Sequence, residues 1–429
     1  MPNLFSRSSR GRARVVWSLA VVLAIGAAVG LVSASTSSAA SPSTPAIAAA
    51  STTSIPPGPT DDSFYTPPSP LPTGNPGDII RWRPATAGPT SFQGTVNAWN
   101  VMYLSTDANG KPDAVTGTVL TPKNGTPASE PIIGFAPGTQ GMAFQCAPSK
   151  YLARDGFYEQ PALDDFINNG YAVAITDYEG YQQTPKATYI TGKSEGPALI
   201  DAVRAAQNLS QASLSATAKV IFRGYSQGGG AAMWAGQLQP TYAPQLNLVG
   251  VAGGGVPADL VSVSLALNNA KGFGFLMAAL IGLDNAYNLG LNNDLNSAGQ
   301  AAVKELTTND CLYELITNFA GKNINTYFST NPLGSAAFST AYSTNKLGST
   351  PPKVPVYDYG GTNDQFVAYP QQLTLAHTYC SAGVNLTWKD YPSDHIGLIY
   401  NGNADALAWI KGVLAGQTPA SNCSSLPTS

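Results

Sequence analysis

The chain has 429 residues, of which 22 are Lys or Arg and 25 are Asp or Glu, so only 11% are charged, where globular proteins average about 25%. Hydrophobic residues make up 43%, enough for a sizeable core, and the length permits either several domains or one large α/β domain with insertions. Residues 1–40 carry four of the basic residues, Arg7, Arg10, Arg12 and Arg14, and no acid; the rest holds 18 basic against 25 acidic, a formal −7 that argues against a nucleic-acid partner.

Those arginines precede an apolar run at 15–32, then small residues at Ser38, Ala39 and Ala40. This is the layout of a secretory signal peptide, so residues 1–40 are read as a signal peptide and the mature protein as secreted. No second apolar run reaches spanning length, and no integral membrane segment is expected once the signal is removed. Cys146, Cys311, Cys380 and Cys423 include no CxxC pair; in an oxidising compartment they read as two disulfides, with three possible connectivities. That spacing, with two histidines in the whole chain, disfavours a metal site.

Residues 41–77 are rich in Pro, Ser, Thr and Ala without apolar periodicity, which predicts an extended, mostly disordered leader, with order beginning near Asp78. Strand-like runs at 99–105 and 114–120 flank Asn109-Gly110, a strong hairpin signal. Thereafter short apolar runs at 131–136, 171–176, 220–223, 246–252, 354–359 and 384–388 alternate with helical segments such as 197–208 and 404–414. This βα rhythm predicts an α/β fold with a mostly parallel sheet covered on both faces. It breaks between residues 256 and 350, which read as a cap or lid inserted into a core of 78–255 and 351–429. Within the insertion, the apolar run 273–283 reads as an acyl-binding wall or as a helix buried for packing.

The sharpest chemical signal is Gly224-Tyr225-Ser226-Gln227-Gly228, a GxSxG pentapeptide. A second match, Gly192-Lys193-Ser194-Glu195-Gly196, lacks the context the motif requires, a buried strand running into the turn and a helix leaving it. Ser226 has both, in the run 220–223 and the small residues 229–232, whereas Ser194 follows a polar stretch and precedes Pro197 at a helix start. Ser226 is therefore the expected nucleophile and Ser194 a structural residue.

A serine hydroxyl needs an adjacent base, usually histidine. His377 lies within a helical run, while His395 follows the last expected strand, where such sheets place site residues; His395 is the expected base. The order Ser, acid, His points to Asp364, just past the strand at 354–359, with Asp358 inside that strand as the alternative and Asp394 as a local hydrogen-bonding residue. An oxyanion hole is also required. The backbone N–H of Gln227 would supply one donor, and the loop Pro137-Gly138-Thr139-Gln140-Gly141 a second, with Gln140 the expected contributor.

These stretches resemble the secretory lipase family, typified by Candida antarctica lipase A, a group of α/β-hydrolases with a large lid. The resemblance rests on Cys146-Ala147-Pro148-Ser149, Asp177-Tyr178-Glu179-Gly180, the Ser226 elbow with its glycines, residues 242–250, and Asp364 through His395, and spans residues 78–423. It implies the same nucleophile, acid and base. It also implies disulfides Cys146–Cys311 and Cys380–Cys423, and it places Gln140 where the family type uses an Asp as oxyanion donor.

The expected activity is that of a secreted serine hydrolase cleaving the carboxylic esters of acylglycerols through an acyl-enzyme, with a lipid or ester substrate met at a lipid–water interface and no cofactor. The same triad would serve a short-chain esterase or an acyltransferase, and a catalytically silent surface-binding protein is the alternative of a different class.

Overall fold

A computed structural model describes residues 55–428; the signal peptide expected at 1–40 and the start of the leader lie outside them. Nine strands form one sheet in the order β1-β2-β3-β5-β4-β6-β7-β8-β9. β1 (Ile79–Pro84), β2 (Val96–Thr106) and β3 (Pro112–Pro122) form an antiparallel entry, and β2 and β3 are the hairpin that the Asn-Gly turn announces. β4 (Ile132–Ala136), β5 (Ala172–Thr176), β6 (Val220–Tyr225), β7 (Leu248–Gly254), β8 (Val356–Gly361) and β9 (Leu386–Tyr391) are mutually parallel. β4, β5 and β6 are buried at every position, as sheets covered by helices on both faces require. One apolar cluster lies on each face, and the two share no residue: Leu199, Val203 and Phe222 belong to one, Phe135, Phe166 and Ile410 to the other.

Order begins earlier than the Pro-rich composition predicts. Residues 55–63 pack on β1; a short 3-10 helix at Asp62–Tyr65 is capped by the Asp61 side chain, and Phe64 and Tyr65 are buried. The proline-rich backbone is short of N–H donors, and side chains of β1 supply them. Trp82 Nε1 donates to the Ile55 carbonyl at 2.7 Å, and Arg83 Nη1 to the carbonyls of Pro59 and Asp61 at 3.0 and 2.8 Å. Two buried aromatics, about 2 kcal/mol each, offset the ordering of the segment.

Between β7 and β8 the chain is helical, with Leu260–Leu267, Phe273–Tyr287, Ser297–Thr308, Leu312–Thr317, Ile324–Tyr327 and Ala336–Thr344. The apolar run at 273–283 lies in the second of these helices, where Leu276, Met277, Leu280 and Leu283 are wholly buried. Packing accounts for most of its hydrophobicity, although Phe275 and Ala279 also reach the pocket described below. No helix among the described residues is long and apolar enough to cross a membrane. Cys146 is bonded to Cys311, joining the segment after β4 to this insertion, and Cys380 to Cys423, anchoring the C-terminal segment to the helix Tyr369–Ser381.

Candidate active site

β6 delivers the chain to Ser226, and the helix Gln227–Tyr242 begins at the next residue. The turn between them is so tight that Ser226 takes φ 58°, ψ −121°, a region costly for any L-residue and found where surrounding structure enforces it. The two glycines of the pentapeptide make the turn possible. A Cβ on Gly224 would fall on the Gly228 carbonyl, and one on Gly228 on the Ala136 carbonyl of β4, so helix and strands meet at backbone contact. Ser226 is left half-buried, its hydroxyl free to face a pocket.

His395 opens the helix His395–Asn401 after β9, with Asp394 capping that helix by accepting the Gly397 N–H at 2.7 Å. Its Nε2 lies 2.9 Å from Ser226 Oγ and its Nδ1 2.7 Å from Asp364 Oδ2. The ring is fixed from several sides: Tyr225 donates its hydroxyl to the His395 carbonyl at 2.6 Å, the His395 N–H donates to Gln365 Oε1 at 3.0 Å, and Phe366 meets the imidazole edge-on. Asp364 sits on the turn after β8 with its side chain wholly buried, where Oδ1 accepts the N–H groups of Phe366 and Val367 at 2.9 and 2.7 Å. One carboxylate oxygen thus holds the turn while the other faces the imidazole, an arrangement that keeps the proton on Nδ1 and leaves Nε2 to accept the serine proton.

The remaining candidates are placed elsewhere. Ser194 is buried in the helix Gly192–Asn208 and hydrogen-bonded to Glu179 and Thr188, with no histidine among its partners. His377 is 2.9 Å from the Pro427 carbonyl. Asp358 is fully buried in β8, its carboxyl oxygens lack hydrogen-bond partners, and burial drives its pKa well above the usual carboxylate range. At Gln140 the side-chain amide turns back onto the Gly138 carbonyl at 3.2 Å, and the backbone carbonyl accepts the Leu312 N–H at 2.7 Å. The neighbouring Thr139 lines the pocket instead, its hydroxyl 2.8 Å from that of Tyr189.

The pocket above Ser226 and His395 is apolar, walled by Leu260, Val263, Leu267 and Phe275 from the insertion and by Phe366 and Val367 from the Asp364 turn. Its volume is about 40 Å³, room for a few water molecules. Among the described residues no cluster of His, Cys, Asp and Glu is arranged to hold a metal ion.

The model of the secretory lipase family matches residues 155–422. The chain belongs to the secretory lipase family. It is 30% identical to lipase 10 of Candida albicans over 397 residues, covering 85% of this chain and 83% of that one, and 28% identical over 386 residues to a secreted triacylglycerol lipase of Malassezia furfur, covering 85% and 77%. Among solved structures it is similar to Candida antarctica lipase A in its closed state, with TM-score 0.77 and 27% identity over 87% of this chain and 90% of that one. A rice cell wall degrading esterase of Xanthomonas oryzae, 21% identical with TM-score 0.68 over 80% of this chain and 100% of that one, shares the fold. This secretory lipase is thus a secreted ester hydrolase with the α/β-hydrolase architecture, its mixed nine-stranded sheet carrying the GxSxG elbow at the end of β6.

Proposed function

We propose that Ser226, His395 and Asp364 are the catalytic triad of a lipase that hydrolyses acylglycerols at a lipid–water interface. The observation that carries this reading is the continuous array from Ser226 Oγ through the imidazole to Asp364, with links of 2.9 and 2.7 Å. Ser226 attacks the ester carbonyl as His395 Nε2 takes its proton; the imidazolium is stabilised by Asp364 and returns the proton to the departing alcohol. Water, deprotonated by the same nitrogen, then releases the fatty acid. Gln227 is the first residue of its helix, so its N–H has no intrahelical acceptor and is free for the oxyanion. Thr139, across the pocket, is assigned as the second donor in place of Gln140.

A lipidic substrate is supported by the walls of the pocket and by the helix Leu260–Leu267. Its inner side, Leu260, Val263 and Leu267, covers Ser226, while Val261 and Leu265 on its outer side are 47% and 64% exposed. A helix apolar on both sides, lining the pocket on one side and exposed on the other, fits a lid whose outer ridge meets lipid.

The test compares the wild type with Ser226→Ala on p-nitrophenyl esters of short and long acyl chains and on emulsified triacylglycerol. The expected result is activity that rises on emulsion and falls about 10⁴-fold or more in the variant. Activity confined to short esters would reduce the reading to an esterase. Equal rates in both proteins would remove Ser226 from the mechanism, and a wild type without hydrolysis would leave a silent binding protein.

A further inference from the structure

The second GxSxG segment places a buried acid beside the site. Glu195 is 2% exposed, and its Oε1 accepts two hydrogen bonds, from Gln227 Nε2 at 2.6 Å and from the Ile190 N–H at 2.9 Å. One donor adjoins Ser226 in the chain and the other lines its pocket. Gln227 follows the nucleophile and is itself 2% exposed; Ile190 lines the pocket with φ 62°, a conformation that a β-branched residue adopts only under constraint. Beside Ile190, the Tyr189 hydroxyl lies 2.8 Å from the Thr139 hydroxyl. A short path therefore runs from Gln227 through Glu195 and the 189–190 backbone to Thr139, joining the two residues assigned above as oxyanion donors.

We propose that Glu195 is a positioning residue that sets the separation of the two sides of the oxyanion hole, acting through the Gln227 side chain on one side and through the Ile190–Tyr189 turn on the other. This rests on the reading of Ser226 as nucleophile. The surroundings of Glu195 favour its neutral form. It forms no ion pair with Lys, Arg or His among the described residues, and the titratable groups facing it are the phenols of Tyr178, Tyr181 and Tyr189. Burial pushes its carboxyl up to about 8, outweighing the two hydrogen bonds that pull it down. A protonated Glu195 accepts both N–H groups and puts no negative charge beside a site that must stabilise an oxyanion.

The experiment measures kcat and KM on p-nitrophenyl butyrate, inhibition by butyrate as a ground-state ligand, and inhibition by a butyl boronic acid that forms a tetrahedral adduct on the nucleophile. Glu195→Ala is expected to lower kcat about 10- to 100-fold and to weaken the boronate by the same factor, with KM and butyrate inhibition within about twofold of wild type. Glu195→Gln, a neutral isostere with an acceptor in the same place, is expected to stay within about threefold of wild type in kcat, and Gln227→Met to reproduce the alanine phenotype. The double variant Glu195→Ala/Gln227→Met should be no worse than either alone, because both remove one link. Wild-type kcat in Glu195→Ala overturns the proposal, as does equal damage by Gln and Ala, or a loss confined to KM and butyrate binding. If Glu195→Ala does not fold, Gln227→Met decides: a kcat loss matched in the boronate upholds the link, and wild-type values break it. Failure of the underlying reading looks different, since Ser226→Ala would then retain activity and boronate affinity.

Discussion

At the scale of single residues the site works by dividing tasks between the two oxygens of Asp364. Oδ1 is committed to the Phe366 and Val367 N–H groups, so the turn holds its shape whichever group occupies the other position. Asp364→Asn would keep that anchor and present an amide N–H to His395 Nδ1. The imidazole would then carry its proton on Nε2 and could no longer accept one from Ser226. The expected outcome is a loss of about 10⁴ in kcat with a folded protein, checked by steady-state kinetics beside a thermal melt. Retention of a tenth or more of wild-type kcat would mean that another group orients His395, and the unpartnered Asp358 in β8 lies too deep to be that group without rearrangement. Ser226, His395 and Asp364 could be read from the sequence because each follows a recognisable strand and only two histidines exist. Thr139 and Glu195 could not. The first depends on which way one loop residue faces, and the second on burial of an acid whose partners lie 5 and 32 positions away.

At the scale of elements, hydrophobic runs located all six parallel strands within a few residues, since a strand covered on both faces must be apolar throughout. The same logic hides the most consequential helix of the insertion. Leu260–Leu267 carries apolar residues on all sides, so no periodicity separates the side over Ser226 from the side facing outward. Only the structure shows that Val261 and Leu265, four apart and hence neighbours on the helix surface, form an exposed ridge. Replacing both with serine removes apolar area from the outward-facing side without touching the pocket. Adsorption to emulsified triacylglycerol and turnover on it should fall several-fold, while kcat on dissolved p-nitrophenyl butyrate should remain within about twofold of wild type. Vesicle or emulsion sedimentation reads the first and spectrophotometry the second; equal losses on both substrates would show the ridge to be structural.

At the scale of the whole molecule, the proline-rich residues 55–65 are held to the sheet because Trp82 and Arg83 provide the donors that such a segment lacks, a dependence that composition cannot express. The insertion is likewise tied to the core at one covalent point beside the loop 137–141. Cys146–Cys311 closes 165 residues and is reinforced by the Leu312 N–H donating to the Gln140 carbonyl. Gly141 leaves no space for a side chain against the Cys311 backbone. By contrast Cys380–Cys423 closes 43 residues near the C-terminus. Both bridges restrict the unfolded chain, and removal of either should cost about 2–5 kcal/mol. Their effects on catalysis should diverge, because the first anchors the loop carrying Thr139 and the second does not. Cys146→Ala/Cys311→Ala is expected to lower stability in urea titration and also to reduce kcat on a small dissolved ester at temperatures where the protein remains folded. Cys380→Ala/Cys423→Ala should lower stability alone. If the two double variants lose stability and keep equal kcat, the insertion holds the Thr139 loop through its packing and backbone contacts, and the covalent tie serves folding only.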